Sequence, residues 1–277
     1  MKSFKIVADS SADMKHLEHV PFASAPLKII SAEKEYVDDE QLDVTEMVND
    51  LLDNSEKIST ACPSIGDWLE AFGEAERVFC VTITSRLSGS YAAACAAKEE
   101  YEQLHPGRRV HVIDTLTAGP EMSLIVEKLQ ELICQGISFE DIKERIAAYM
   151  KNTGLVFMLE SLRNLANNGR VSRLVASATG MLGIRLVGRA SDEGTLEPLG
   201  KHRGQKRALP AMADIMDKLG YRGGKVSIAH CLNEEAAHNF KALLLEKFPK
   251  AEINIHRCGG LCSFYAEKGG LLVGFET

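Results

Sequence analysis

The stretch from Val78 to Leu104, VFCVTITSRLSGSYAAACAAKEEYEQL, decides the predicted fold. Its first part, Val78–Ile83, is a continuous apolar run rich in β-branched residues, which is typical of a strand covered on both faces. The polar loop Thr84–Gly89 follows, and the Ala-rich segment Tyr91–Leu104 predicts a helix. This order of strand, loop and helix indicates a parallel sheet covered by helices.

The same pattern continues through the first half of the chain. Apolar runs at Phe4–Ala8, Ala23–Ile30 and Val110–Asp114 predict further strands. Helices are predicted at Val44–Leu52, after the capping box Ser64–Asp67, at Leu116–Cys134 and, capped by Ser138, at Phe139–Met150. We therefore expect an N-terminal α/β domain with a parallel sheet over residues 1–152.

The second half has a different order of elements. Apolar runs at Leu182–Arg189 and Thr195–His202 flank the turn Ser191–Gly194, which predicts a hairpin. The other predicted elements are strands at Leu155–Leu159, Val226–His230, Glu252–His256 and Leu271–Phe275, helices at Ser161–Ala166, Arg207–Leu219 and Glu234–Phe248, and a Gly-rich turn at Cys258–Gly270. A hairpin joined to βαβ units predicts a mixed sheet. We therefore expect a two-domain α/β protein, with a C-terminal α/β domain over residues 153–277.

Composition and charge exclude several classes of protein. The chain has 277 residues, of which 45% are apolar and 26% charged, and its net charge is −7. This composition argues against a disordered chain, and the acidic balance argues against general nucleic-acid binding. No apolar run approaches the roughly 18 residues of a membrane helix. The seven cysteines are scattered through apolar segments, as expected of buried thiols in a reducing compartment, so we expect a cytoplasmic protein.

Hydroxyl side chains are concentrated in three loops at predicted strand ends: Asp9–Asp13, Ser59–Ser64 and Thr84–Ser90. In the third loop, Ser88 and Ser90 offer hydroxyl donors beside a helix N-terminus, and Gly89 lets a ligand approach the backbone. This pattern predicts a site for a carboxylate or a phosphate. The alternative is that Ser88 only caps the helix.

The common catalytic signatures are missing from the sequence, which has no P-loop, no G-x-S-x-G elbow and no H-E-x-x-H motif. Cys258 and Cys262 lack a second pair at zinc-ribbon spacing, so we expect them to pack under the Gly-rich turn and expect no metal. Three functions stay open: a lipid carrier without chemistry of its own, an acidic interaction module, and an enzyme. The enzyme would act on a small phosphorylated or carboxylated substrate with Ser88 as nucleophile and His230 as base.

Motifs of the first half resemble those of the DegV family of bacterial fatty-acid-binding proteins. IVADSSADM at Ile6–Met14 is similar to the family's IVTDSTADL, and TACPSIG at Thr60–Gly66 is similar to TSQPSPG. ITSRLSGSY at Ile83–Tyr91 is similar to ISSGLSGTY. The last of these is the most specific element.

The resemblance continues in the same order through the second half. LESLRNLANNGRV at Leu159–Val171 is similar to LEYLKKGGRI, LGIRL at Leu182–Leu186 to LNIKP, and KHRGQKRA at Lys201–Ala208 to KVRTRKKA. The family's HTGPG-like turn has GGLCSFYAEKGG in its place here, at Gly259–Gly270. Aligning the last glycines puts Tyr265 where the family has a histidine.

The resemblance implies that a long-chain fatty acid, of about C14–C18, lies in a tunnel between two α/β domains, without a further cofactor. Thr60 and Ser88 would hold its carboxylate, and Arg203 would contribute near the head group. Tyr265 would donate one hydrogen bond to the carboxylate but could not supply the positive charge of a protonated histidine.

The resemblance also implies a partner. A separate ATP-dependent fatty acid kinase would phosphorylate the bound carboxylate, and Arg170 is the candidate residue for docking that kinase. The side chains that close the far end of the tunnel would set the preferred chain length, and Met122, Leu159 and Met181 are the candidates for them.

Overall fold

The computed structural model describes residues 3–52, 58–172 and 183–277. The described strands of its first half are β1 (Phe4–Asp9), β2 (Phe22–Ala25), β3 (Lys28–Ile30), β4 (Glu35–Val37), β5 (Ser59–Ala61), β6 (Arg77–Thr82) and β7 (Arg109–Asp114). Strands β2, β1, β6 and β7 form a four-stranded sheet in that order, and all of its pairings are parallel. The predicted parallel sheet is therefore confirmed, with the apolar runs of β1 and β6 at its centre.

Helices pack on both faces of this sheet. The described helices of the first half are α1 (Val44–Leu52), α2 (Ile65–Phe72), α3 (Ser90–Leu104), α4 (Pro120–Cys134) and α5 (Phe139–Tyr149), and the last four pack on this sheet. Apolar side chains of α2 and α3 cover one face, and those of α4 and α5 cover the other. Helix α4 begins at Pro120 and not at the predicted Leu116, because Leu116 and Gly119 adopt positive φ values of 56° and 60°.

A second sheet, of order β4-β3-β5, is antiparallel. Its presence corrects two expectations. The apolar stretch Ala23–Ile30 is divided between β2 and β3, which belong to different sheets. The predicted loop Ser59–Ser64 begins as a strand, in which Thr60 pairs with Ile29. Pairing with a distant segment leaves little signal in a three-residue strand, so the local pattern could not predict it.

The second half forms a six-stranded mixed sheet of order β10-β9-β8-β13-β11-β12. Its strands are β8 (Thr153–Leu159), β9 (Ile184–Ala190), β10 (Leu196–Arg203), β11 (Lys225–His230), β12 (Glu252–Arg257) and β13 (Leu271–Glu276). Strands β9 and β10 pair antiparallel, which confirms the hairpin, and β11 and β12 pair parallel. The predicted start of the hairpin at Leu182 lies outside the described residues.

The described helices of the second half are α6 (Arg163–Asn167), α7 (Gln205–Lys218), α8 (Glu234–Lys247) and α9 (Gly260–Ala266). Helix α9 corrects the expectation that Cys258–Gly270 is only a Gly-rich turn. Five residues in a row after its two leading glycines, Leu261–Tyr265, form the body of this short helix, and Cys258 and Cys262 are buried there as expected. The glycines mark its N-terminus.

Apolar packing joins the two halves of the chain. Helix α4 contacts β1 and β6 on one side and β13 and β11 on the other. One core cluster combines Ile29 and Met47 of the first half with Phe157, Ala229 and Phe264 of the second. Within the described part of the chain, no helix is both long and apolar enough to cross a membrane. The division at residue 152 stays a prediction.

Candidate functional site

An apolar cavity lies where the two halves meet. Its volume is about 90 Å³, and its wall includes Leu27 and Ile83 of the first half and Phe157, Leu159 and Leu272 of the second. The polar side chains on its wall are those of Thr60, Ser88, Arg170 and Tyr265. The cavity therefore combines a hydrocarbon-like interior with a small set of hydrogen-bonding groups, as sites for small molecules usually do.

Three of the polar groups are in direct contact. The hydroxyls of Thr60 and Tyr265 share a hydrogen bond of 2.7 Å. The Arg170 guanidinium carbon lies 5.8 Å from the centroid of the Tyr265 ring, within the range of a cation–π contact. Burial raises the pKa of Tyr265, so its phenol stays neutral and remains able to donate a hydrogen bond.

The loop that carries Ser88 is fastened to the same group. Arg170 Nε donates to the carbonyl oxygen of Leu87 at 3.0 Å. Gly89 faces the Thr60 loop so closely that a Cβ added there would lie 3.3 Å from Cys62 Sγ. Ser88 Oγ accepts a hydrogen bond from the Ser90 backbone N–H at 3.2 Å, which leaves its own hydroxyl proton as a donor.

The other predicted ligand residues lie elsewhere. Ser90 is fully buried, and its hydroxyl donates to Asp9 Oδ2 at 2.6 Å, so it supports the loop from behind. Gly89 is the exposed N-cap of α3. Arg203 is exposed at the end of β10 and does not line the cavity in the described part of the chain. Arg170, predicted to dock a partner, lies on the wall of the cavity.

Asp9 is a residue that the sequence analysis missed. Its fully buried carboxylate accepts hydrogen bonds from the Ser11 hydroxyl, the Ser90 hydroxyl and the Ile83 backbone N–H, the last at 2.9 Å. Burial raises the pKa of Asp9, and these donors oppose that rise by stabilising the charged form. The Asp-Ser-Ser run of the opening motif was the available signal, because the carboxylate and its Ser11 donor come from that run.

The three candidates for the far end of the tunnel are Met122, Leu159 and Met181. Leu159 lines the cavity. Met122 is fully buried in the core between the parallel sheet and α4, where its Sδ lies 3.3 Å from the Ser11 hydroxyl oxygen. Met181 lies outside the described residues. Of the three candidates, Leu159 is therefore the one that the described part of the structure places on the cavity wall.

Within residues 3–52, 58–172 and 183–277, the geometry does not pair Ser88 with His230, the candidate general base. His230 is 4% exposed, and its Nδ1 accepts the Asn233 backbone N–H at 3.3 Å. Burial lowers the pKa of His230 and favours a neutral ring. Among the described residues, His230 does not line the cavity, and no group of three or more His, Cys, Asp or Glu side chains is arranged to hold a metal.

Comparisons with solved structures show the same fold in proteins that carry fatty acids. A DegV family protein from Eubacterium eligens, loaded with heptadecanoic acid, has a TM-score of 0.97 at 44% identity, covering 99% of this chain and 100% of that one. The Streptococcus pneumoniae Fatty Acid Kinase (Fak) B3 protein, loaded with linoleic acid, also has a TM-score of 0.97, at 45% identity and 99% coverage of both chains. A DegV protein from Ruminococcus gnavus, refined with vaccenic acid, has a TM-score of 0.90 at 28% identity, covering 99% of this chain and 100% of that one.

Comparisons of sequence agree. A curated DegV domain-containing protein of Streptococcus pneumoniae is 45% identical over 278 residues, which cover 99% of each chain. The sequence model described as "Uncharacterised protein, DegV family" matches residues 3–277. Motifs, fold and overall similarity all lead to one assignment, and the chain belongs to the DegV family.

Proposed function

We propose that this protein binds one long-chain fatty acid in the cavity between its two halves and presents the carboxylate to a fatty acid kinase. The observation that carries the proposal is the apolar cavity on whose wall the structure describes four polar side chains. Thr60, Arg170 and Tyr265 are in direct contact, and Arg170 also bonds to Leu87, the neighbour of Ser88. The heptadecanoic and linoleic acids of the two relatives at 44% and 45% identity support the same ligand class.

The acyl chain supplies most of the binding free energy in this proposal. Burial of each CH₂ group contributes about 0.8 kcal/mol, so a chain of roughly sixteen carbons has a gross contribution near 12 kcal/mol. Loss of translational freedom and ordering of side chains offset much of it.

The polar groups fix the position of the carboxylate. A carboxylate oxygen placed between Thr60 and Tyr265 would replace their mutual 2.7 Å hydrogen bond with two bonds to a charged acceptor. Ser88 would donate a third bond. Arg170 supplies the positive charge that the phenol lacks. In this proposal, Gly89 and Ser90 support the loop that carries Ser88.

The partner in the proposal is an ATP-dependent kinase subunit, and this chain is a carrier without catalytic residues. The relative named as a B3 protein of fatty acid kinase supports this role. Arg170 is the proposed docking residue for the kinase. The exposed Arg203 is proposed to contribute positive charge near the head group. All seven cysteines are free, which supports a location in the reducing cytoplasm. We also propose that the two lobes are residues 1–152 and 153–277.

A titration tests the proposal. Delipidated protein is titrated with saturated and unsaturated acids of 14 to 18 carbons, the proposed range. Octanoic acid is the short-chain control, since it has eight fewer CH₂ groups than hexadecanoic acid and should bind much more weakly. The loaded protein is then mixed with an ATP-dependent fatty acid kinase subunit and assayed for acyl phosphate. Saturable one-to-one binding followed by ATP-dependent phosphorylation is expected. Absence of saturable binding at any chain length contradicts the proposed function.

A further inference from the structure

Two carboxyl groups of the first half hold the N-terminus of α9, the helix that carries Tyr265. Asp13 Oδ1 accepts the Gly259 backbone N–H at 2.9 Å. Asp38 Oδ1 accepts the Gly260 N–H at 2.7 Å, and Asp38 Oδ2 accepts the Leu261 N–H at 2.9 Å. The first N–H groups of a helix have no partner within it, so these two side chains satisfy three of them in succession.

The two glycines make this approach possible. A Cβ added at Gly259 would lie 2.7 Å from Asp13 Oδ1. One added at Gly260 would lie 2.7 Å from Asp38 Oδ1 and 2.6 Å from a methyl group of Leu42. Any larger residue would push the carboxyl groups away from the N–H groups that they accept. The Gly-Gly pair therefore allows the contact between the two halves to be this close.

The far end of the same short helix reaches the cavity. Leu261, Cys262, Tyr265 and Ala266 of α9 line it, and the Tyr265 hydroxyl bonds to Thr60. Backbone hydrogen bonds connect the two ends of this short helix, from Ser263 N–H to the Gly259 carbonyl and from Glu267 N–H to the Ser263 carbonyl. The place of its N-terminus therefore bears on the place of the Tyr265 side chain.

We propose that Asp13 and Asp38 form a positioning pair, which sets the place of the Tyr265 hydroxyl and thereby the preference of the cavity for a carboxylate over a neutral head group. This inference rests on the proposed function, since it concerns the same ligand. Neither residue lines the cavity among the described residues, so both act through α9 and not through contact with the ligand.

The chemistry around the pair gives the two carboxyl groups different states. Burial and the neighbouring charge of Asp38 raise the pKa of Asp13 well above its usual range, which favours the protonated acid. Burial also raises the pKa of Asp38, but bonds from Leu261, Gly260 and Ser10 oppose that rise. Asp13 and Asp38 also line a surface cleft. The other titratable groups near the pair or on the wall of this cleft are Lys15, Asp39, Glu40, Asp43, Cys231, Cys258, Arg257 and Cys262.

The sign of the pH effect follows from the raised pKa of Asp13. The pair is intact while Asp13 holds its proton. As the pH rises through that raised pKa, a second carboxylate appears beside Asp38. Burial of this charge and its repulsion by Asp38 outweigh the stronger bond from the Gly259 N–H, so the free energy of unfolding falls. Asp13→Asn keeps an oxygen acceptor for the Gly259 N–H without a titratable proton, so it removes this pH dependence.

The test compares affinities for hexadecanoic acid and for hexadecanol, which has the same chain and a neutral head group. In Asp38→Asn an NH₂ donor replaces one of the two acceptors, and we expect the acid to bind about tenfold more weakly while the alcohol is unaffected. Glu40→Gln, an exposed change of the same charge in the same loop, is the matched control and should keep the wild-type ratio.

A double mutant separates positioning from general damage to the fold. If Asp38 acts through Tyr265, the double variant Asp38→Asn/Tyr265→Phe has the same acid-to-alcohol ratio as Tyr265→Phe alone. Should Asp38→Asn fail to fold, Asp13→Asn replaces it in the test. The ratio of its affinities for the acid and the alcohol should then change less with pH than that of the wild type. If Asp38→Asn binds the acid and the alcohol as tightly as the wild type does, or loses equal affinity for both, this inference is overturned and the proposed function is not. A wild type that binds no fatty acid overturns the proposed function, and this inference with it.

Discussion

At the scale of single residues, Tyr265 and its neighbours define the polar end of the cavity. The motif comparison predicts that Tyr265 stands where the family has a histidine. The structure gives Tyr265 two neighbours, Thr60 at 2.7 Å and the Arg170 guanidinium over its ring. The pair of a neutral phenol and a cation supplies both a donor and a charge.

Removal of the Ser88 hydroxyl tests its role in holding the head group. We expect Ser88→Ala to weaken fatty acid binding by roughly ten- to a hundredfold, because a hydrogen bond to a charged group contributes about 1.5–3 kcal/mol. Calorimetric titration of delipidated protein measures the change. Ser85→Ala, an exposed serine of the same loop, is the control. Equal affinities of wild type and Ser88→Ala would remove Ser88 from the site.

Ser90 has a different role from Ser88, although the two lie in one motif. Because Ser90 donates to the buried Asp9, Ser90→Ala leaves that carboxylate with one donor fewer. We expect the free energy of unfolding to fall by about 1.5–3 kcal/mol, as measured by denaturant titration. Ser85→Ala again serves as the comparison. A Ser90→Ala variant as stable as the wild type would show that the Asp9 contact contributes nothing to folding.

At the scale of elements, the local sequence predicted what depends on local physics. The apolar run of β6, the Ala-rich α3 and the capping box of α2 carry their signals within a few residues, and the structure has all three. The strand β5 and the helix α9 were missed because their conformations depend on partners far along the chain, Ile29 for β5 and Asp13 and Asp38 for α9.

The capping box of α2 makes a prediction at this scale. Ser64 Oγ accepts the Asp67 N–H, and Asp67 accepts the Ser64 N–H in return. We expect Ser64→Ala to lower the free energy of unfolding by about 1 kcal/mol, with fatty acid affinity unchanged because Ser64 does not line the described cavity. Denaturant titration measures the change in the free energy of unfolding, and ligand titration on the same sample measures the fatty acid affinity. A large loss of affinity would mean that the Thr60 loop depends on this cap.

At the scale of the whole molecule, the sequence predicted a site between two α/β lobes, and part of it could be placed in advance. Thr60, Ser88 and Tyr265 come together on one cavity wall although they are far apart in sequence. Motifs could indicate these residues but could not give their distances. The position of Arg170 on that wall depends on how the two halves pack, which no local pattern encodes.

A ligand bound across the seam should stabilise the whole chain. At a free fatty acid concentration of 100 times Kd, binding adds about 2.7 kcal/mol to the free energy of unfolding. We expect hexadecanoic acid to raise the midpoint of thermal unfolding of delipidated protein, and octanoic acid at the same concentration to raise it much less. Equal shifts for the two acids would mean that the apolar cavity does not hold the chain.

The central claim is that the seam between the two halves holds a long-chain fatty acid. Its most direct test is to purify the protein, denature it, and identify and count the released lipids by mass spectrometry. The account predicts close to one C14–C18 fatty acid per chain in the wild type and substantially less in Ser88→Ala. A protein that releases no fatty acid, and that takes up none when it is offered after purification, would contradict it.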